Sequence, residues 1–164
     1  QLLKQLTPQK SYEFMTQQLG FKLVDSRTNE DGTVQSDIDL APLALGALTD
    51  GVTVREMAGG FSTFINDGVY GGTRTYTKVT DSEGNTIMEN TPNTDKGFTN
   101  VRTDYYMLDC LQNVTAHGTA YGIQLDGVET GGKTGTTTSN TDIWFCGPLG
   151  LGSALRNACK PCIW

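Results

Sequence analysis

Apolar side chains recur at helical spacing in three stretches, which predicts helices over residues 7–20, 53–68 and 103–118. The first stretch opens with Thr7-Pro8, a capping hydroxyl followed by a proline suited to a first helical turn. The second opens with Thr53-Val-Arg-Glu56, which has the form of a capping box. Glycines at the ends of all three stretches are typical helix stops.

Two other parts of the chain have the pattern of β-hairpins. The β-branched run 75–80 and the short run 86–88 flank a polar turn that contains glycine. Further on, the Gly- and Thr-rich stretch 131–138 precedes a polar turn and the apolar run 143–146. Residues 25–37 are polar and predict a turn. Helices followed by strands indicate an α+β fold or a mixed sandwich.

Composition and charge exclude several classes of partner. The net charge is −6, the pI is about 4.6, and Lys and Arg form no cluster, which argues against nucleic acid or an anionic membrane surface as a partner. The longest apolar run, residues 40–48, is interrupted by Pro42 and Gly46 and is too short to span a bilayer. No signal-peptide pattern follows Gln1. We therefore expect the chain to be a piece of a longer protein whose targeting segment lies elsewhere.

The cysteines do not form a predicted metal site. Cys110 and Cys146 lie in apolar contexts and are predicted to be small buried residues. Cys159 and Cys162 have CxxC spacing, but zinc needs two further ligands and the single histidine, His117, is distant in sequence. We therefore predict no metal and no cofactor, and we place His117 at a helix end near the negative pole of the dipole.

Lys133 belongs to two overlapping patterns. Residues 127–134 fit the phosphate-binding pattern G-x-x-x-x-G-K-[ST] letter by letter. A phosphate loop must open a helix, whereas residues 135–142 are rich in Thr and Gly and are poor helix formers. The remaining residues also supply no magnesium-binding aspartate after a hydrophobic strand. Context therefore argues against nucleotide binding.

The second pattern is a strand, Lys133-Thr134-Gly135-Thr136. Side chains alternate along a strand, so Thr134 and Thr136 share a face on which two hydroxyls can hold a carboxylate. Gly135 leaves room for a substrate backbone, and Lys133 adds positive charge for an anionic ligand or for proton transfer. An ordinary polar strand at a sheet edge can have the same four residues. The surrounding sequence therefore has to show whether this strand binds a substrate.

The surroundings of this strand resemble penicillin-binding transpeptidases, in which a K-T-G strand occurs with S-x-x-K and a second serine motif. The order and spacing of several stretches are most like the bifunctional, class A members of that family. The stretches that carry the resemblance are Leu45-Gly46, residues 51–58, residues 61–70, residues 77–84, Gly118-Thr119-Ala120, residues 133–137 and residues 142–145.

The resemblance implies a partial penicillin-binding/β-lactamase-like transpeptidase fold, with an antiparallel sheet flanked by helices. Residues 1–147 are expected to be the C-terminal part of a transpeptidase domain. No serine in the sequence begins S-x-x-K or S-x-N, so we expect the chain to start just after both motifs and to be inactive alone. Because strands of the parent sheet are then missing, a two-stranded sheet is expected to remain. Residues 148–164 depart from the family, and we interpret them as an atypical tail, for example from an altered reading frame.

The resemblance also implies a function for the parent protein. It would cross-link peptidoglycan stem peptides ending in D-Ala-D-Ala through an acyl-serine, bind β-lactams, and act at the extracytoplasmic face of the bacterial membrane, where a segment absent here anchors it. Lys133 and Thr136 would be catalytic, and Lys133, Thr134, Gly135 and Thr136 would bind substrate. A β-lactamase, a β-lactam-sensing receptor and a non-catalytic binding module remain as alternatives.

Overall fold

The computed structural model describes residues 1–92, 94, 97–138, 141–150 and 160–163. The chain divides into two compact units, residues 1–56 and 57–164. Within the described residues, no helix is both long enough and apolar enough to cross a membrane.

Short elements make up the first unit. Thr7 caps the predicted first helix, because its side chain accepts a hydrogen bond from the Lys10 N–H at 3.4 Å. Gly20 follows the helical segment with a φ of 72°, which suits a residue without a side chain. The elements are α1 (Leu2–Leu6), α2 (Pro8–Glu13) continued by a π-helical turn (Phe14–Gln18), the antiparallel strands β1 (Arg27–Thr28) and β2 (Val34–Gln35), and α3 (Leu40–Leu45).

A buried carboxylate ties the first unit together. Asp37 is only 1% exposed. Its oxygens accept hydrogen bonds from the Val24 N–H at 2.8 Å, the Thr49 N–H at 2.7 Å and the Thr49 hydroxyl at 2.8 Å. Hydrogen bonds to a charged group contribute roughly 1.5–3 kcal/mol each. Asp37 therefore links segments that are more than ten residues apart on either side of it.

The predicted capping box is present at the start of the next helix. The Glu56 carboxylate accepts from the Thr53 N–H at 2.8 Å, and the Thr53 hydroxyl oxygen accepts from the Glu56 N–H at 3.1 Å. Glu56 also accepts from the Lys22 N–H at 3.2 Å. Partial burial raises the pKa of Glu56, but the hydrogen bonds from Thr53 and Lys22 outweigh it and hold that pKa below its usual value.

The remaining helices and strands confirm most of the predicted elements. The hairpin predicted over residues 75–88 is antiparallel and exposed on both strands. The third predicted helix is confirmed, with His117 as its last residue. The elements are α4 (Val54–Ser62) with a 3₁₀ turn (Thr63–Ile65), β3 (Lys78–Thr80), β4 (Thr86–Glu89), α5 (Val101–His117), β5 (Glu129–Thr130), β6 (Lys133–Thr136), β7 (Ile143–Gly150) and β8 (Lys160–Ile163).

Strand β7 is the centre of a four-stranded antiparallel sheet. Cys146 is paired with both Lys133 and Ile163, and Leu149 with both Thr130 and Lys160. Because a residue has one partner on each edge of its strand, β5 and β6 lie in line along one edge of β7 and β8 lies along the other. The expectation of a two-stranded sheet was therefore wrong, since β7 is long enough to pair on both edges.

In the part of the second unit that the structure describes, few large side chains are fully buried. Among the described residues there, the buried apolar side chains are Leu111, Ala120, Phe145, Cys146 and Pro148. The prediction of burial is confirmed for Cys146 and wrong for Cys110, which is exposed. One turn of α5 separates Cys110 from the exposed Tyr106, so both lie on a face of the helix that points away from this core.

Candidate functional site

Helix α5 anchors the start of the Lys133 strand through two hydrogen bonds. The Gly132 N–H donates to the Leu111 carbonyl at 3.0 Å, and the Thr115 hydroxyl donates to the Thr130 carbonyl at 2.5 Å. Leu111 is 6% exposed and Thr115 is fully buried. Burial protects both bonds from water, so the register between helix and strand is fixed just before the candidate site.

The glycine pair before Lys133 is required by close packing. A Cβ atom on Gly132 would lie 2.4 Å from the Phe145 ring, and one on Gly131 would lie 3.1 Å from the backbone nitrogen of Gln112. Both glycines are buried. Because these two residues have no side chains, the backbone that joins β5 to β6 can pass closely between α5 and β7.

The backbone of β6 presents polar groups at a free edge. The Gly131 N–H donates to the Pro148 carbonyl at 3.3 Å and the Thr137 N–H donates to the Asp142 carbonyl at 3.1 Å, so odd-numbered residues of this strand face β7. Backbone groups alternate in direction along a strand, which turns the N–H and C=O of Thr134 and Thr136 outward. Among the described residues, no strand pairs with this outer edge of β6.

The side chains of β6 divide between the two faces as the sequence predicts. Thr134 and Thr136 share one face, and Lys133 and Gly135 share the other. Thr134 is half-buried and the other three residues are exposed. The Lys133 ammonium Nζ donates to the Thr134 carbonyl at 2.6 Å, which places its positive charge at the free edge.

A second hydroxyl, which no sequence pattern indicated, lies next to Thr134. The Oγ1 atoms of Thr119 and Thr134 are 2.7 Å apart, a hydrogen-bond distance. Thr119 follows the C-terminus of α5, fifteen positions before its partner. Gly118-Thr119-Ala120 carried part of the family resemblance, but no local pattern indicates which side chain a residue after a helix will meet.

A short turn closes the far end of the strand. The Asp142 N–H donates to Thr137 Oγ1 at 3.1 Å, in addition to the backbone bond between these residues. The hydroxyls of Thr137 and Thr141 are 3.0 Å apart. These contacts fix the position of the chain immediately after Thr136. Together with the hydrogen bonds between α5 and residues 130–132, they fix both ends of the candidate site.

The arrangement suits an extended peptide that ends in a carboxylate. Two hydroxyls on one face, outward N–H groups and an ammonium supply donors for an anion, and the outward carbonyls supply acceptors for a peptide backbone. Phosphate binding of the loop-and-helix kind does not fit, because the segment after Gly132 is a strand and not the start of a helix. The predicted CxxC pair includes Cys159, which lies outside the described residues.

Comparisons with known proteins identify the family of this chain. A family model for the penicillin-binding protein transpeptidase domain matches residues 1–147. Penicillin-binding protein 4 of Bacillus subtilis (strain 168) is 32% identical over 146 residues, which are 89% of this chain and 22% of the relative. Penicillin-binding protein 1A of Clostridium novyi (strain NT) is 36% identical over 111 residues, 66% of this chain and 13% of the relative.

A solved structure shares the fold. Penicillin-binding protein A from M. tuberculosis, solved as an imipenem acyl-enzyme complex, superposes with a TM-score of 0.61 at 14% identity, over 91% of this chain and 34% of that one. The predicted α+β transpeptidase fold is thus confirmed. The chain spans about a fifth or less of the curated relatives' lengths. By the match of the family model to most of its length, this chain belongs to the penicillin-binding protein transpeptidase family.

Proposed function

We propose that this chain supplies the substrate-binding wall of a peptidoglycan DD-transpeptidase. The observation that carries the proposal is the free edge of β6, where Thr134 and Thr136 present two hydroxyls on one face and outward backbone groups. A stem peptide ending in D-Ala-D-Ala would add antiparallel to this edge, with its terminal carboxylate on the two hydroxyls. Membership of the family and the names of the relatives support this choice of substrate.

Each residue of the strand has a role in the proposed reaction. In the whole protein a serine attacks the carbonyl of the penultimate D-alanine, and the bond to the terminal D-alanine breaks. The Thr136 N–H is one of the donors that stabilise the oxyanion formed in this step. Lys133 places positive charge beside the reacting groups and supports proton transfer. Gly135 lets the peptide backbone approach closely.

The acyl-serine would then be resolved by the amine of a second stem peptide, which forms the cross-link. The 164 residues contain no S-x-x-K sequence. We therefore propose that the nucleophile is supplied by another part of the parent protein and that this chain alone forms no acyl bond. β-Lactams would bind the same strand, and an imipenem acyl-enzyme is the form in which the M. tuberculosis relative was solved. The proposed place of action is outside the cytoplasm, with anchoring to the membrane by a segment outside this sequence.

Calorimetric titration with an N-acylated peptide ending in D-Ala-D-Ala tests the binding part of the proposal. Thr136→Val keeps the shape and the N–H but removes one hydroxyl, and losing one hydrogen bond to a carboxylate costs about 1.5 kcal/mol or roughly tenfold in affinity. Thr86→Val changes an exposed threonine on β4 and serves as the matched control. Equal affinities of the unchanged chain and Thr136→Val would contradict the assigned role of Thr136.

Mass spectrometry after incubation with a penicillin tests the catalytic part. The expected result is an unmodified chain, because a β-lactam traps an acyl-enzyme only through a nucleophile. A stoichiometric adduct with the mass of the penicillin would contradict the proposal that the nucleophile lies elsewhere.

A further inference from the structure

We propose that Thr119 is a positioning residue that makes the site selective for a ligand with a free carboxylate. It would do so by donating its hydroxyl proton to Thr134 Oγ1, which leaves the Thr134 proton for the ligand. This inference rests on the proposed function, since it assigns Thr134 to the ligand carboxylate.

The position of Thr119 is fixed by the backbone on both sides. The Gly118 and Ala120 N–H groups both donate to the Val114 carbonyl, at 3.1 and 3.2 Å. A Cβ atom on Gly118 would lie 2.9 Å from the Val114 backbone, so the chain turns tightly at that point. Ala120 is 1% exposed and anchors the segment in the core. The Thr119 hydroxyl is therefore held 2.7 Å from that of Thr134 by the end of α5.

The number of protons decides the direction of the hydrogen bond when an anion binds. Each threonine hydroxyl has one proton, and a carboxylate only accepts. When the Thr134 proton goes to the carboxylate, the hydrogen bond between the two threonines has to run from Thr119 to Thr134, because their Oγ1 atoms lie 2.7 Å apart. The resulting chain runs from Thr119 to Thr134 to the ligand, and each bond polarises the next.

A neutral ligand gains less from this arrangement. A C-terminal amide carries N–H donors as well as a carbonyl, so it can donate to Thr134 and does not require the Thr119 proton. Removal of the Thr119 hydroxyl should therefore weaken binding of a peptide acid and leave binding of the corresponding amide nearly unchanged. A merely structural role would weaken both peptides alike.

The test compares an N-acylated D-Ala-D-Ala peptide with its C-terminal amide, using calorimetry on the full chain and three variants. Thr119→Val removes the hydroxyl at nearly constant shape, Thr119→Ser keeps the hydroxyl, and Thr86→Val is the control on the exposed hairpin. One neutral hydrogen bond corresponds to about 2- to 13-fold in affinity. We expect that loss for Thr119→Val with the acid, less than about twofold with the amide, and values within about twofold of the unchanged chain for Thr119→Ser and Thr86→Val.

Three results would overturn the inference. If Thr119→Val binds the acid as well as the unchanged chain does, Thr119 has no positioning role while the proposed function stands. If Thr119→Val loses affinity equally for acid and amide, or Thr119→Ser fails to restore the acid's affinity, the effect is structural. If the unchanged chain binds neither peptide, the proposed function fails and the inference fails with it.

Discussion

Replacement of Gly132 by alanine should loosen the candidate site without touching any of its polar groups. The added Cβ would lie 2.4 and 2.7 Å from two atoms of the Phe145 ring and 2.9 Å from the Cys146 carbonyl. Carbon atoms pack at about 3.5–4.0 Å, so the overlap with the ring exceeds roughly 0.8 Å. Phe145 is 7% exposed and pairs with Thr134 across the sheet, so a shift of its ring disturbs β6 directly.

The expected cost is that of overpacking a buried position, about 1–3 kcal/mol. Hydrogen exchange of the β6 and β7 amides measures this cost locally and does not require the whole chain to unfold in one step. A loss of about 1–3 kcal/mol corresponds to exchange that is roughly 5- to 150-fold faster.

Gly135→Ala is the matched control, because its Cβ would meet only Trp144, at an ordinary contact distance of 3.7 Å. We expect its β6 and β7 amides to exchange as in the unchanged chain. Unchanged amide exchange in Gly132→Ala, or equal exchange rates in the two variants, would show that close packing does not require a glycine at position 132.

Three further predictions concern stability and reactivity. Asp37→Asn sets an amide group against backbone donors, so amides of the first unit should exchange at least about tenfold faster, and unchanged exchange would contradict the linking role of Asp37. Because the folded pKa of Glu56 lies below the unfolded value of about 4.3, its contribution to the start of α4 is present above that pH and is lost as the pH falls through the folded pKa. Protection of the amides at the start of α4, taken as the intrinsic exchange rate divided by the observed rate, should therefore fall in acid, and Glu56→Gln should abolish that pH dependence. A thiol reagent should label Cys110 well before Cys146, because Cys146 is buried and burial raises its thiol pKa, and peptide mapping by mass spectrometry would show the reverse order if this is wrong.

Local signals predicted much of the fold. Two helix starts were predicted from residues within a single turn. The capping box of Thr53 and Glu56 lies at the start of α4, and Thr7-Pro8 lies at the start of α2. The alternation of Lys133 to Thr136 likewise gives the correct faces of β6, because side-chain alternation is a property of the strand itself.

The features that the sequence did not predict are those that no local pattern specifies. Strands β1 and β2 have two residues each and fully exposed side chains, so they carry no hydrophobic pattern. The second edge of β7 is occupied by β8, whose residues pair with β7 at separations of 11 to 17 positions and lie in the segment that was expected to be an atypical tail. Cys110 was wrongly predicted as buried because apolar neighbours in sequence do not fix which face of a helix meets the core.

The contact of Thr119 with Thr134 is likewise not specified by any local sequence pattern. It depends on where α5 ends and on how the Gly131-Gly132 pair lets the strand approach the helix. The K-T-G strand could be proposed as a site from sequence because its residues are adjacent, whereas the contact of Thr134 with Thr119 is visible only in three dimensions.

The most direct test of the central claim is a titration of the full chain with an N-acylated D-Ala-D-Ala peptide, followed by backbone amide NMR. A peptide that adds to the free edge of β6 should shift the Thr134 and Thr136 amides most strongly, because their N–H groups point outward from the sheet. Amides that face β7, such as that of Gly135, should shift less. Saturable binding whose largest shifts lie outside β6, or no binding, would contradict the assignment of this strand as the substrate-binding wall.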